Sequence, residues 1–396
     1  MNPTRPESQP ILTLHQISDP GKKDKNAEVI PAVEKHATEK GGIFNGLDFK
    51  IGRTAYKFKI NGRIQTRFDY INFNNPGVEN VHKLYFRRIR LKSDGFLFTP
   101  NLCYKLEFDL LSLKLLDLVF KWNLSRNFSI WAGQTKLHGN RERLISSQKL
   151  QLVDRSLLNA KFTLDRDIGV WFIHDSQYGN VVLREIFSIT KGEGTDLIYS
   201  DDEHVFSGLD YTMRLEILPF GYFTNHGDYI QSDLIREKKP KLALGFTFDF
   251  NNNAIKSNGQ KGKILNQHAN LRSFMADAMF KYNGFSWMIE YVNRNISYIF
   301  SPPHKFSDLI FKEYYTGNAF NSQIGYLFQN NFEIATRYTY LNPMKYTEYK
   351  DISEYTIGFS KYISGHRIKI QTDFSLIKEE VNENYFRCRM QVELGI

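Results

Sequence analysis

In the stretch FRRIRLKSDGF, residues 86–96, the charged residues Arg88, Arg90, Lys92 and Asp94 fall at every second position, with Ile89, Leu91, Ser93 and Gly95 between them. Guanidinium and ammonium groups held in a row bring fixed positive charge, and they offer hydrogen-bond donors that can replace the water an anion sheds. Farther along, Lys136, Arg141, Arg143, Lys149, Arg155 and Arg166 crowd one connection, against Glu142, Asp154, Asp165 and Asp167. Taken singly, each of these reads equally well as a solvated loop charge; the cluster is what points to the handling of anions. Other chemistry finds little support. The ten histidines (15, 36, 82, 138, 174, 204, 226, 268, 304 and 366) are scattered without metal-ligand spacing. There is no nucleophile elbow, phosphate loop or Cys/His cluster. No catalytic residue, metal or cofactor is expected.

The elements that must position these charges are strands. A strand sends successive side chains to opposite faces, so a period of two makes one apolar wall and one polar wall. In KFKINGRIQTRFDY, Phe58, Ile60, Ile64, Phe68 and Tyr70 interleave with Lys57, Lys59, Asn61, Arg63, Gln65, Arg67 and Asp69. The pattern returns at Leu106 and Phe108 against Glu107 and Asp109, at Leu116 and Leu118 against Asp117, and at Phe246 and Phe248 against Thr247 and Asp249. It closes the chain at Phe386, Cys388, Met390, Val392, Leu394 and Ile396, against Arg387, Arg389, Gln391 and Glu393. Sixteen strands are expected, beginning near 56, 84, 101, 115, 127, 167, 179, 205, 240, 272, 285, 320, 331, 352, 365 and 385.

One such strand would fit a soluble sandwich. Many strands of about ten residues, each with one apolar face, are the pattern of a transmembrane antiparallel β-barrel with lipid outside and water in the lumen. Closure of the barrel also pairs every backbone group in a medium that offers no water. The connections alternate between tight turns, at Ser176, Asn283 and Asn330, and long polar loops at about 136–166, 191–204, 252–271 and 297–319. Two break the rule: the link near Leu111 is short for an outer loop, and the run from Leu218, LPFGYFTNHGDYIQSDLIREKKP, is long for an inner turn.

The net charge of +9 suggests anionic partners. Residues 1–50 hold seven Lys or Arg and seven Asp or Glu, so all of the excess lies beyond them. That first segment reads as a flexible polar extension, and residues 51–396 as the barrel. Mean hydropathy is −0.43, and the most apolar window, LLSLKLLDLVF from Leu110, is interrupted by Lys114 and Asp117, so no transmembrane helix is expected. Cys103 and Cys388 fall on opposite wall faces, against a disulfide. The start, MNPTRPESQPILTL, has neither the n-region nor the h-region of a secretory signal. That fits a processed or engineered chain, or else a protein that is not exported.

FRRIRLKSDGFLF, YKLEFDL, the long block GQTKLHGNRERLISSQKLQLVDRSLLNAKFTLDRDIGV at residues 133–170, and FSGLDYTMRLEILPFG from Phe206 resemble, in order and spacing, the phosphate-selective porin O/P family. The resemblance runs from about residue 56 to the C-terminus; the 133–170 block is its most specific part. It implies a sixteen-stranded porin of the Gram-negative outer membrane, usually a homotrimer amid lipid and lipopolysaccharide, passing small inorganic anions such as phosphate. It also implies that the 136–166 connection is a third external loop folded into the lumen, where Lys136, Arg141, Arg143, Lys149, Arg155 and Arg166 would form a constriction. The final Ile396 departs from the usual terminal aromatic residue but stays on the apolar face.

The strand residues Arg63, Arg67, Arg88, Arg90, Lys92, Glu107, Asp109 and Asp117 are expected to line the pore, since a charge on the lipid side costs roughly 2 to 4 kcal/mol at midplane. Glu107, Asp109, Asp117 and Glu216 are candidates for a face opposing the cations. Arg87 falls on the outer face in this register and is expected above the membrane or in a subunit contact. The run DDEH at residues 201–204 could hold a divalent ion or lipopolysaccharide-bridging cations, although a solvated loop is the plainer reading. Three functions stay open: an anion-preferring diffusion channel, an outer-membrane barrel enzyme, and a soluble basic all-β protein that binds nucleic acid.

Overall fold

The computed structural model of the protein describes residues 47–51, 56–73, 77–195, 208–297, 312–380 and 384–395. Its strands are β1 (Leu47–Ile51), β2 (Tyr56–Phe73), β3 (Val81–Leu97), β4 (Leu102–Asp109), β5 (Lys114–Asn123), β6 (Phe128–Lys136), β7 (Arg166–Tyr178), β8 (Val181–Thr190) and β9 (Asp210–Leu218). They continue as β10 (Lys241–Lys256), β11 (Ile264–Tyr282), β12 (Phe285–Ser297), β13 (Gly317–Leu327), β14 (Phe332–Pro343), β15 (Ile352–Ser364), β16 (Ile368–Glu379) and β17 (Tyr385–Gly395). Two short helices, α1 (Arg141–Leu144) and α2 (Leu157–Phe162), lie between β6 and β7.

From β2 to β17, sixteen strands form a closed antiparallel barrel in which each pairs with the next. The ring shuts where β17 meets β2, with Met390 opposite Phe68 and Glu393 opposite Gln65. β1 pairs with the first residues of β2, Leu47 opposite Ile60. Residues 1–46, most of the expected polar extension, lie outside the described residues, as do 201–204. Among the described residues no helix is long and apolar enough to cross a membrane. The crossing is made by strands.

Alternation sets the faces as expected. Ile60, Phe246, Ile370 and Val392 are exposed outward, whereas Arg63, Thr247, Gln371 and Glu393 are buried on the inner side. The β11–β12 hairpin shows why the turns are tight: Asn283 and Gly284 both take positive φ, 48° and 88°, as a two-residue turn matched to strand twist demands. One expected loop is largely strand. Residues 252–271 belong mostly to β10 and β11, leaving a turn at 257–263. Register shifts at Ala254 and positive φ at Asn253 break the alternation there, which is why the run NNNAIK does not read as a strand.

The interior is filled from both ends. The connection between β6 and β7 packs Leu137, Leu158, Phe162 and Leu164 against inward Trp171, Met275, Val292 and Leu341. Ile145 and Leu150, from the same connection, meet inward Val182, Ala243, Met279 and Met288 together with Phe223, which belongs to the long link between β9 and β10. Water-filled lumen is therefore only part of the cross-section.

Removing residues 385–396 should leave β16 and β2 as open edges in a medium without water. We expect such a chain to give no heat-modifiable folded band in detergent, and a folded channel from it would overturn the closure at β17.

Candidate functional site

The third loop, residues 137–165, is stiffened by its own polar groups before it touches the wall. Ser156 caps α2 by accepting the Asn159 N–H at 3.1 Å, and it donates its hydroxyl to Glu142 at 2.5 Å. The Ser156 N–H also reaches that carboxylate, at 3.1 Å. Arg155 donates to the carbonyls of Glu142 and Ile145 at 3.0 and 2.5 Å, so the loop closes on itself.

Three sets of contacts fix this unit in the barrel. On the β9–β11 side, Arg141 pairs with Asp277 at 2.7 Å and Glu216 at 3.4 Å, beside Arg214, which holds Asp277 at 2.7 Å; all four side chains are fully buried. Toward β12–β16, Gln151 donates to Ser286 and Glu333 at 2.6 and 2.8 Å, and Asp373 accepts the Val153 N–H at 3.0 Å. Near the seam of the barrel, Asp154 meets Arg67 at 2.8 Å, Arg88 at 3.4 Å and Arg87 at 3.6 Å. Arg63 donates to Ser147 at 2.5 Å.

Arg87 is a correction to the strand register. A bulge pairs Gln65 with Arg88 but Thr66 with Phe86, so two successive arginines reach inward while Leu84 and Phe86 stay outside. Burial opposes the ionisation of Asp154, yet Arg67, Arg88 and Arg87 together hold its carboxyl well below the usual range.

A gap between the loop and the wall of β3–β6 is marked by inward side chains that keep access to water: Lys105 is 37 % exposed and Lys92 23 %, against 0 % for Arg141 and Arg214. Eight cationic groups gather around this gap: Arg90, Lys92, Lys105, Lys136, Arg143, Arg155, Arg166 and Lys261. Five carboxylates accompany them: Glu107, Asp109, Asp117 and Asp165, with Asp94 opposite Lys105 in the β3–β4 register. Arg90 holds Glu107 at 2.8 Å and Asp109 at 3.3 Å. Asp117 lies between Lys105 and Arg166, each at 2.8 Å. Asp165 joins Arg143 and Lys261. Among the described residues, Lys136 and Arg155 have no carboxylate in ion-pair range; Lys136 donates to the carbonyls of Arg143 and Leu144 at 2.7 and 3.2 Å.

The gap is therefore cationic beyond its internal pairing. Burial, and then Arg155, Arg166 and Arg90, push the Arg143 guanidinium well below its ordinary value. Burial lowers Arg155 as well, with Arg166 and Arg90 adding to it against the pull of Glu142 and Asp154. A guanidinium keeps its proton regardless. The shifts report burial first, and the neighbouring arginines add to it.

The expected residues thus divide. Arg90, Lys92, Lys136, Arg143, Arg155 and Arg166 meet at the gap with Glu107, Asp109 and Asp117. Arg63, Arg67 and Arg88 are buried as anchors of the loop. Arg141 is sealed on the far wall, and Lys149 sits by Lys369 and His366. The acids form no opposing face: Glu107, Asp109 and Asp117 stand on the strands that carry the cations, and Glu216 is consumed by Arg141, Arg184 and Arg214. Lys105 and Lys261 join the gap residues from outside the expected site, Lys105 from the polar face that alternation shares with Glu107 and Asp109. Alternation in YKLEFDL marks Lys105, whereas nothing in the sequence brings Lys261 here.

A closed sixteen-stranded barrel with an apolar outside and a charged gap inside is an outer-membrane channel of the porin class. The chain belongs to the phosphate-selective porin O and P family, whose model matches residues 58–391. It is accordingly a protein of the Gram-negative outer membrane. Among solved structures it is similar to an anion-selective porin from Comamonas acidovorans, with 8 % identity, 86 % of this chain and 100 % of that chain covered, and a TM-score of 0.56. The outer membrane channel DcaP of Acinetobacter baumannii is similar at 11 % identity, with 88 % and 100 % covered and a TM-score of 0.55. OmpT of Vibrio cholerae is similar at 10 % identity, with 88 % and 100 % covered and a TM-score of 0.52. At these identities the likeness is one of fold. No curated protein sequence matches the chain.

The Asp154 anchor carries a pH dependence. A carboxyl held low in the folded state stabilises above its unfolded value of about 3.9 and loses that contribution as pH falls through the folded one. Open-channel current noise should stay flat from neutral pH down to about 4 and rise only below that. Asp154→Asn should raise the noise already at neutral pH; quiet traces from that variant would show that the three arginines do not depend on Asp154.

Proposed function

We propose that this porin is a passive diffusion channel that prefers small inorganic anions, phosphate among them, and that its selectivity is set in the gap between the third loop and β3–β6. Its task is passage and not catalysis. The observation that carries the reading is the excess of cations at the gap, eight against five carboxylates, with the side chains of Lys136 and Arg155 bonded only to neutral carbonyl groups. A narrow passage between protein walls screens charge less than open water does, so this excess raises the local anion concentration. The donors then stand in for part of the hydration shell.

Neutralising Arg143 and Arg155 together, as Gln, should lower the anion-over-cation permeability ratio about fivefold, the factor that ~1 kcal/mol of lost attraction gives. The reversal potential in asymmetric salt measures it. Arg272→Gln, outside the gap, should change nothing. If the double variant keeps the wild-type ratio in a correctly folded barrel, anion preference is not set here and the reading falls.

A homotrimer fits the same reading. A membrane strand needs about 9–11 residues, and β4 has 8. The turn that follows exposes Leu110, Leu111 and Leu113, and farther along the same hairpin, toward its other end, β5 exposes Phe120 and Trp122. This short wall is best covered by a neighbouring subunit, while the taller strands meet lipid and lipopolysaccharide. Chemical crosslinking in native membranes would give a three-chain band, which charged replacements at Leu113 and Trp122 should weaken.

A further inference from the structure

The link between β9 and β10, residues 219–240, is far longer than the other turns at its end of the barrel, and it does not hang outside. Asp228, Gln231, Ser232 and Asp233 are buried to 2 % exposure or less. It enters the lumen from the end opposite the third loop, and the two meet. Gln231 is the point of contact: its N–H donates to the Lys149 carbonyl at 3.1 Å, and its side-chain amide donates to Glu142 at 3.3 Å. Its side-chain oxygen accepts the Gln151 N–H at 2.8 Å and the Gln323 amide at 3.1 Å. One residue therefore joins three positions of the third loop to the wall. Arg141 adds a bond to the Asp228 carbonyl at 3.3 Å.

The link is itself held fast. Lys281 donates to the Ser232 carbonyl at 2.8 Å, Ser232 to Glu333 at 2.8 Å, and the Gly284 N–H to Asp233 at 2.8 Å. Tyr229 donates to Glu216 at 2.7 Å, the carboxylate that also holds Arg141. Every one of these wall partners lies on β9, β11, β13 or β14 or in the turn between β11 and β12, and Asp228 adds Arg184 of β8; none lies on β3–β6. The contact is one-sided, like the loop's own Arg141 anchor.

We infer that residues 219–240 are a brace for the constriction: they hold the third loop from below against the β9–β14 wall, so that the passage stays single and narrow on the β3–β6 side. Gln231 is the positioning residue. It does not touch the permeating ion, and it acts through Glu142, Lys149 and Gln151. The inference rests on the gap being the conducting path but not on its ion preference.

The test is single-channel recording of Gln231→Leu, which keeps size and removes the side-chain bonds, in barrels shown to be folded by heat-modifiable migration. We expect conductance to rise about twofold, with added open-channel noise, because the loop edge is freed to move. A second variant replaces residues 222–238 with Asn-Gly; its conductance should rise further as the lower half of the lumen empties. Unchanged conductance and noise in Gln231→Leu would overturn the brace, whether or not the shortened variant folds. A conductance change with an unaltered permeability ratio would keep the brace while counting against anion selection at the gap. A changed ratio in Arg143/Arg155 with no change at Gln231 would do the reverse.

Discussion

Hydrocarbon offers nothing to a peptide N–H or C=O, and every other feature of this molecule follows from that. Backbone groups must pair within the sheet, and the last strand must return to the first, as β17 does to β2. Once the ring is shut, alternate side chains have no choice of surroundings: one set meets lipid and the other is enclosed. The enclosed set is dense in charge, and charges removed from water need partners. Two chain segments enter from opposite ends to supply them, which turns a wide cylinder into a packed interior with a gap along one side.

The interior is electrostatically lopsided. Against β8–β14, cations and carboxylates alternate closely enough to cancel, as in Arg214 with Asp277 and Arg184 with Glu216 at 3.2 Å. Such buried networks lend rigidity and geometric specificity more than net stability. Against β3–β6 the cancellation is incomplete. The protein thus uses matched charge to hold the loop and unmatched charge to act on what passes, and proximity in sequence does not separate the two: Lys136, without a carboxylate in range among the described residues, and Arg141, paired with Asp277, are five residues apart.

Most of the fold was legible because a period of two survives in nearly every strand, and it placed Arg90, Lys92 and Glu107 on the inner face without knowledge of any partner. Where the period slips, legibility ends. The bulge beside Arg88 hid the inward turn of Arg87, and the irregular β10–β11 ends disguised strands as loop. The third loop was harder, since alternation says nothing about where a loop goes. Which of its arginines face water depends on where their partners end up: Asp277 on distant β11 for Arg141, and Asp165 at the loop's own end, held by Lys261 of the β10–β11 turn, for Arg143. The excess length of the β9–β10 link was visible in the sequence, but its destination was not.

The partners of the third loop also arrive late. Val153 waits for Asp373, 220 residues downstream, and Arg141 for Asp277, 136 residues downstream. Contacts so distant along the chain form slowly, after the entropy of closing the intervening segment has been met. The filter therefore cannot take its shape until strands far downstream of it are in place, and a sheet that has inserted but not yet sealed would be a wide, undiscriminating hole. For a cell this makes the order of events consequential: the barrier function of the membrane is most exposed in the interval between insertion and the arrival of the final strands, and any factor that shortens that interval protects the cell as much as it helps the porin.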